Sequence, residues 1–308
     1  MGYGLTYMGS KSDICASIAI NFPKADNFYD LFGGGFSMSD FMLRHKSHLY
    51  KHFHYNELRT PIVELVQKAI RGEFNYDKFK PAWVTREEFH AKKEVDAYIA
   101  LCWSFGNNST TYLFSEQIEA YKRSMHQVVV FNEFDSTAIK VLGIKEWPIE
   151  VKTIKQKRLY LRRKIEWYRV NNRLPKVLWK FLPAKQVVQL DQLKQLQRLQ
   201  QLQQLNFYNL SYEQVPIQEN SIVYCDIPYK VTQDNDKRLF YKTHFCHKTF
   251  FNWAASRDFP VYISEYNIED SRFKLVYSIN KTVKMSSKGM TSESGGAVEK
   301  LYWNGVKN

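Results

Sequence analysis

Ile222-Val223-Tyr224-Cys225-Asp226-Ile227-Pro228-Tyr229 is the stretch that decides the fold. A short apolar run ended by an acid, a proline and a ring reads as a buried strand that stops at the edge of a sheet. It leaves one carboxylate (Asp226), one main-chain carbonyl (Ile227) and one aromatic ring (Tyr229) at that edge. Those three groups suit the amino group of a flat heterocycle. Upstream, Phe28-Tyr29-Asp30-Leu31-Phe32-Gly33-Gly34-Gly35-Phe36-Ser37 has a related build, a short apolar strand followed by a triple-glycine turn. Glycine lets backbone approach a ligand closely and permits positive φ. Neither G-x-G-x-x-G nor G-x-x-x-x-G-K-S/T is present, which disfavours a phosphate cradle.

Working outward, residues 12–20 read as a short capped helix ending near Pro23. A strand is expected at 27–31, then the glycine turn, then a helix from Met38 to His45. A second strand fits 48–55 and ends on Asn56-Glu57, and Pro61 opens a helix from Ile62 to Ile70. Strand, glycine turn, helix, strand, acid and helix make the start of a doubly wound α/β unit. The alternation then lapses. Residues 86–102 and 116–126 read as helices, and leucines at 190, 193, 196, 199, 202 and 205 recur every third residue among glutamines. A period of three drifts by about 60° per step around an α-helix, so this stretch reads as a solvated or connecting helix. Alternation resumes at 206, with a helix from Phe245 to Ala255, a strand from Val261 to Ser264, and strands near 273–284 and 297–303 around the loop Ser286–Gly296. The expected organisation is a core split between residues 1–75 and 206–308, with 76–205 inserted.

The chain has 308 residues, 44% of them hydrophobic, enough for one large core with an inserted domain. Its formal charge is +13, which favours polyanionic partners. Between residues 152 and 185 there are twelve Lys or Arg and one acid, Glu166. Within that segment Lys157, Arg158, Arg162, Arg163, Arg169 and Arg173 are interleaved with Tyr160, Trp167 and Tyr168, a pattern suited to phosphates and base edges. Cys15, Cys102, Cys225 and Cys246 are scattered, so no zinc site or redox pair is expected. Each is expected as a buried free thiol, in a reducing compartment. No apolar run is long enough to span a membrane, and the N-terminus lacks signal-peptide regions; the cytoplasm is expected.

The exocyclic amine of adenine is a poor nucleophile because its lone pair is delocalised into the ring. Accepting its two hydrogens at the Asp226 carboxylate and the Ile227 carbonyl would push that nitrogen toward tetrahedral geometry, with Tyr229 placed to stack on the base. A sulfonium methyl is already activated, so no metal and no strong base is required; positioning and well-placed acceptors suffice. Glu57, at the end of the second strand, suits the two ribose hydroxyls of an adenosine.

The ordered series of segments resembles the Dam-like (D12) class of DNA adenine-N6 methyltransferases, in its phage-encoded branch. Tyr7-Met8-Gly9-Ser10-Lys11 resembles the family's N-terminal motif, whose aromatic and lysine border the S-adenosylmethionine pocket. Asp30 to Ser37, with Phe32, Gly33, Gly34, Gly35 and Phe36, resembles its glycine motif, and Asn56-Glu57 its ribose motif. Trp103 to Asn108 with Tyr112-Leu113-Phe114 resembles the link between core and recognition domain. Asp226 to Tyr229 corresponds to the catalytic motif, Phe245, Phe250 and Trp253 to the helix after it, and Ile263-Ser264-Glu265-Tyr266 to the next strand end. Two places depart from the family: Ile227 stands where Asp-Pro-Pro-Tyr is usual, and Asn209-Leu210-Ser211-Tyr212 stands where relatives carry Asp-aromatic near the cofactor adenine. The resemblance implies an α/β, Rossmann-like S-adenosylmethionine-dependent core with an inserted, mainly helical DNA-recognition domain. It also implies catalysis by Asp226, Ile227, Pro228 and Tyr229, cofactor contacts from the N-terminal, glycine and ribose motifs and Phe245, and flipping of an adenine from double-stranded DNA. The residues alone leave rivals open: a catalytically silent DNA-binding protein on the same scaffold, or methylation of RNA adenine or a protein glutamine.

Overall fold

The structure is a computed structural model and describes residues 2–7, 9–75, 79–171, 185–201, 205–229, 245–281 and 297–308. The chain divides into two compact units, Met1–Ile70 with Leu196–Asn308, and Arg71–Gln195.

The first unit is built on a seven-stranded sheet. Its strands are β1 (Asn27–Asp30), β2 (His52–Asn56), β3 (Leu205–Tyr208), β4 (Ser221–Asp226), β5 (Val261–Glu265), β6 (Lys274–Lys281) and β7 (Ala297–Trp303), in the spatial order β3-β2-β1-β4-β5-β7-β6. The pairings β3-β2, β2-β1, β1-β4 and β4-β5 are parallel; β7 runs antiparallel to both β5 and β6. β1 and β5 are buried along their length and β4 nearly so, which explains why they read as continuous apolar runs rather than alternating ones. Chain order reverses between β1 and β4. Their carboxyl ends therefore form the crevice where open α/β sheets bind ligands. On one face the core gathers Tyr29, Val223, Cys225, Ile227, Phe250 and Ile263.

The helices of this unit are α1 (Cys15–Ala19), α2 (Ser37–His45), α3 (Thr60–Ile70) and, after the insert, α10 (His247–Ala255). The second unit carries α4 (Arg86–Lys92), α5 (Ala97–Cys102), α6 (Glu116–Phe131), α7 (Ser136–Leu142) and α8 (Ile154–Val170); α9 (Lys185–Leu196) ends at the boundary. Rings of Trp83, Phe114, Trp103 and His126 fill the centre of the second unit. Burial drives the His126 imidazole down to about 4, and its Nε2 lies 2.8 Å from the Pro81 carbonyl, to which it donates.

Several expectations are corrected. The segment expected as one helix over 86–102 is two, because Asp96 turns the chain and caps α5 by accepting from Ile99 N–H at 3.0 Å. β2 begins at His52, the preceding Ser47–Leu49 being a tight helical turn. α1 starts only at Cys15, and its N-cap position, Ile14, makes no side-chain cap. The leucine stretch is not solvated: Leu190, Leu193, Leu196 and Leu199 are all buried. Its α-helix gives way to a 3-10 turn at Gln197–Gln201, whose three residues per turn keep a three-residue repeat on one face. Cys15, Cys102 and Cys225 are buried, but Cys246 is exposed, since it occupies the N-cap position of α10. Arg173, Leu202 and the loop 286–296 lie outside the described residues.

Candidate active site

The glycine turn follows directly from β1. Gly33 N–H donates to Asn56 O at 2.9 Å, and Tyr55 OH donates to Gly34 O at 2.7 Å, so the turn is fastened to the end of β2. A Cβ on Gly33 would stand 2.2 Å from the Tyr55 ring, and one on Gly35 2.5 Å from Tyr7 Cβ; neither position admits a side chain. The N-terminal segment lies across this turn, with Leu5 N–H donating to Gly35 O at 2.7 Å and Lys11 N–H to Ser37 Oγ at 3.2 Å. Glu57, just beyond β2, accepts from Gly34 N–H at 3.0 Å and from Arg59 Nε at 2.7 Å; the Arg59 guanidinium covers the Tyr7 ring at 5.2 Å.

Two residues expected against a cofactor build the turn itself. Asp30 is buried and accepts from Ser39 N–H at 3.2 Å and Ser39 Oγ at 2.7 Å. Phe36, the N-cap position of α2, has left-handed φ of 67° and no oxygen to offer, so the Asp30 carboxylate supplies the missing cap. Burial drives the Asp30 carboxyl up to about 7, against the pull of the Ser39 bonds and with a push from Asp226 and Glu57. The Phe36 ring is buried between Tyr55 and Phe207. Asn56 is likewise structural: its Nδ2 donates to Leu31 O and Leu210 O, each at 3.0 Å, tying the loop after β3 to β1. Asn209 continues that tie, donating to Glu57 O at 2.7 Å.

Phe32, Tyr212 and Phe245 form an aromatic cluster beside the turn, Phe32 lying 5.5 Å from Tyr212 and 5.6 Å from Phe245, ring centre to ring centre. The three rings are only partly buried.

At the end of β4, Asp226 Oδ1 stands 2.7 Å from Lys11 Nζ. The same nitrogen lies 3.1 Å from Glu299 Oε1 on β7 and 4.8 Å from the centre of the Tyr229 ring. Tyr229 OH donates to Glu299, and the Tyr229 ring meets Tyr266 edge-on at 4.6 Å. Burial alone would lower the Lys11 ammonium, but Asp226 and Glu299 hold it well above the ordinary lysine value. Ile227 packs its side chain into the core, and the Pro228 carbonyl is held by His247 Nε2 at 2.8 Å. The fold thus brings Lys11, Asp226 and Tyr229 together, with the glycine turn and Glu57 on the adjacent strand ends. Sequence reasoning missed Glu299 and His247: a lone acid in an antiparallel strand and a histidine one residue into a helix carry no motif.

In the second unit, α8 starts with a capping box, Thr153 Oγ1 accepting from Gln156 N–H at 3.2 Å and Gln156 Oε1 accepting from Thr153 N–H at 2.9 Å. Leu161 and Ile165 face inward. Lys157 shares that face; it is buried and donates to Asn132 Oδ1 at 2.5 Å, so its charge is used within the unit. By helical spacing Lys155, Arg158, Arg162 and Arg169 share one flank, with Arg162, Arg163 and Arg169 exposed. Arg169 pairs with Glu166. Among the described residues there is no cluster that would hold a metal ion and no helix long and apolar enough to cross a membrane.

Parallel strands β1, β2 and β4 that carry a glycine turn, an acidic residue and an acid-x-proline-tyrosine turn on their ends define a Rossmann-like methyltransferase core. A family model described as D12 class N6 adenine-specific DNA methyltransferase matches residues 7–278. The chain belongs to that family and is an adenine-specific DNA methyltransferase. No curated protein matches the chain.

Proposed function

We propose that the chain transfers a methyl group from S-adenosylmethionine to N6 of an adenine extruded from double-stranded DNA. The observation that carries this reading is the placement of Asp226 and Tyr229 at the carboxyl end of β4, beside the glycine turn of β1, where the strand order reverses. The residues there fit an adenosine-bearing cofactor. The partly buried rings of Phe32, Tyr212 and Phe245 offer a wall for a purine, and Glu57 offers an acid at the next strand end. Gly34 contributes backbone in the left-handed region, with no atom nearer than 3.5 Å to the place of a Cβ. Tyr7 and Lys11, lying over the turn, complete the set. When bound, S-adenosylmethionine supplies a methyl already activated on a sulfonium.

The chain's own residues then act on the base. Asp226 and the Ile227 carbonyl accept the two amino hydrogens and localise the N6 lone pair, and Tyr229 stacks on the purine. The gain comes from fixed acceptors where positive charge develops. A paired base keeps its amine in the Watson–Crick edge, so the target must leave the stack. The second unit, with its basic α8 flank, supplies phosphate contacts through Arg158, Arg162, Arg163 and Arg169. Arg173 belongs to the same proposal by sequence alone. The test is transfer of labelled methyl from S-adenosylmethionine to duplex DNA, with RNA of the same sequence as competitor. Label on adenine N6 of DNA supports the reading; label on RNA alone, or none, contradicts it.

A further inference from the structure

On the proposed function the incoming adenine uses a carboxylate oxygen of Asp226 and the face of the Tyr229 ring; Lys11 already engages one of the two oxygens and lies over that ring. Lys11 Nζ donates to Asp226 Oδ1 at 2.7 Å and sits over the Tyr229 ring at 4.8 Å from its centre. An ammonium in that place gives the acid N–H donors, as the purine amine would, and covers by a cation–π contact the ring face on which the purine would stack. The side chain of Asp226 is 22% exposed, whereas those of Lys11 and Glu299 are 6% and 3% exposed. A base therefore arrives from the Asp226 side, and the lysine has its way of retreat on the inner side. A buried cation that loses one carboxylate needs another at once, because an unpaired charge there is strongly destabilising. Glu299 Oε1 is already 3.1 Å from the same nitrogen, and it also fixes the Tyr229 phenol.

Resting on the proposed function, we propose that the Lys11 ammonium holds the place of the target amine, and that Glu299 is a positioning residue that takes Lys11 over when the base arrives. Lys11 moves from a pair shared between two acids to a pair with Glu299, and Asp226 becomes available to N6. The raised proton affinity of Lys11 agrees with an ammonium that stays charged throughout. Glu299 acts through Lys11 and through the hold on Tyr229, without touching the base.

The test is a double-mutant cycle on the full chain with duplex DNA. Glu299→Gln keeps the shape and an acceptor for the Tyr229 phenol but removes the charge that draws Lys11 inward. Its single-turnover methylation rate at saturating cofactor and DNA is expected to fall about 30-fold, with KM for the cofactor little changed. In a Lys11→Met background the same substitution is expected to cost under about threefold, since no ammonium remains to be moved. A second readout works without cofactor: fluorescence of 2-aminopurine placed at the target adenine, which rises when that base leaves the stack. Glu299→Gln should reduce the rise, and Lys11→Met should restore it in the double variant. Equal losses in both backgrounds, or no loss in Glu299→Gln, overturn the proposal while wild-type transfer to DNA still stands. Absence of transfer by the wild-type chain overturns the proposed function and this inference together. Because the fluorescence measurement compares variants that bind the same duplex, a variant that fails to fold is recognised by loss of binding, and Glu299→Asp, which keeps the charge, then takes its place with rescue expected.

Discussion

Ile227 gives up the rigidity of the proline usual in its place and puts an apolar side chain into the core beside Val223, Cys225 and Phe250. Ile227→Ala should lower the unfolding free energy by about 2–5 kcal/mol, read from urea denaturation. Ile227→Pro should retain methylation, because the group asked of that residue is a main-chain carbonyl; a folded but dead proline variant contradicts the proposed geometry. Asp30 offers a second test at this scale. The folded chain holds its proton to about pH 7, whereas the ordinary aspartate lets go near 3.8. The folded state therefore binds more protons across that window, and stability declines as pH rises through it. Asp30→Asn, a neutral isostere, should flatten this decline between about pH 4 and 7 in denaturation midpoints; an unchanged slope contradicts the assignment. Asp226, Tyr229 and Lys11 were legible in the sequence as members of ordered motifs. Glu299 was not: it reaches the turn from β7, and only the sheet order brings those residues together.

The elements that hold the site were legible where their apolar runs are fully buried. β1, β4 and β5 announce themselves because they are interior, parallel-paired strands buried along nearly their whole length. The three-residue leucine repeat misled because it serves an α-helix that passes into a 3-10 turn. The break between α4 and α5 was hidden because Asp96, which makes it, sits in an otherwise helical sequence. At the glycine turn, close approach is the constraint rather than flexibility. Gly35→Ala should weaken cofactor binding about tenfold or more by displacing Tyr7, measured by calorimetry with S-adenosylhomocysteine. In α8 the capping box stands at the exposed start of the basic helix. Thr153→Ala should cost about 1 kcal/mol of stability in thermal or urea unfolding.

At the scale of the whole molecule, the net charge of +13 and the basic segment between 152 and 185 give the chain its expected polyanion affinity. Binding to duplex DNA should fall steeply with salt, and Arg162→Ala should reduce the slope of log affinity against log salt by about 1. An unchanged slope removes Arg162 from the phosphate contacts. The first unit takes Met1–Ile70 and Leu196–Asn308 from two separated stretches, and the α/β alternation of the sequence stops and resumes close to those bounds. Which of the basic residues are free to meet DNA was not, since burial alone separates Lys157, bonded to Asn132, from exposed Arg162 and Arg163. The most direct measurement on the central claim is Asp226→Ala, followed in parallel for methyl transfer and for DNA binding. Transfer is expected to fall by at least about a thousandfold while duplex affinity changes less than about threefold. Transfer that persists near the wild-type rate in this variant would contradict that claim.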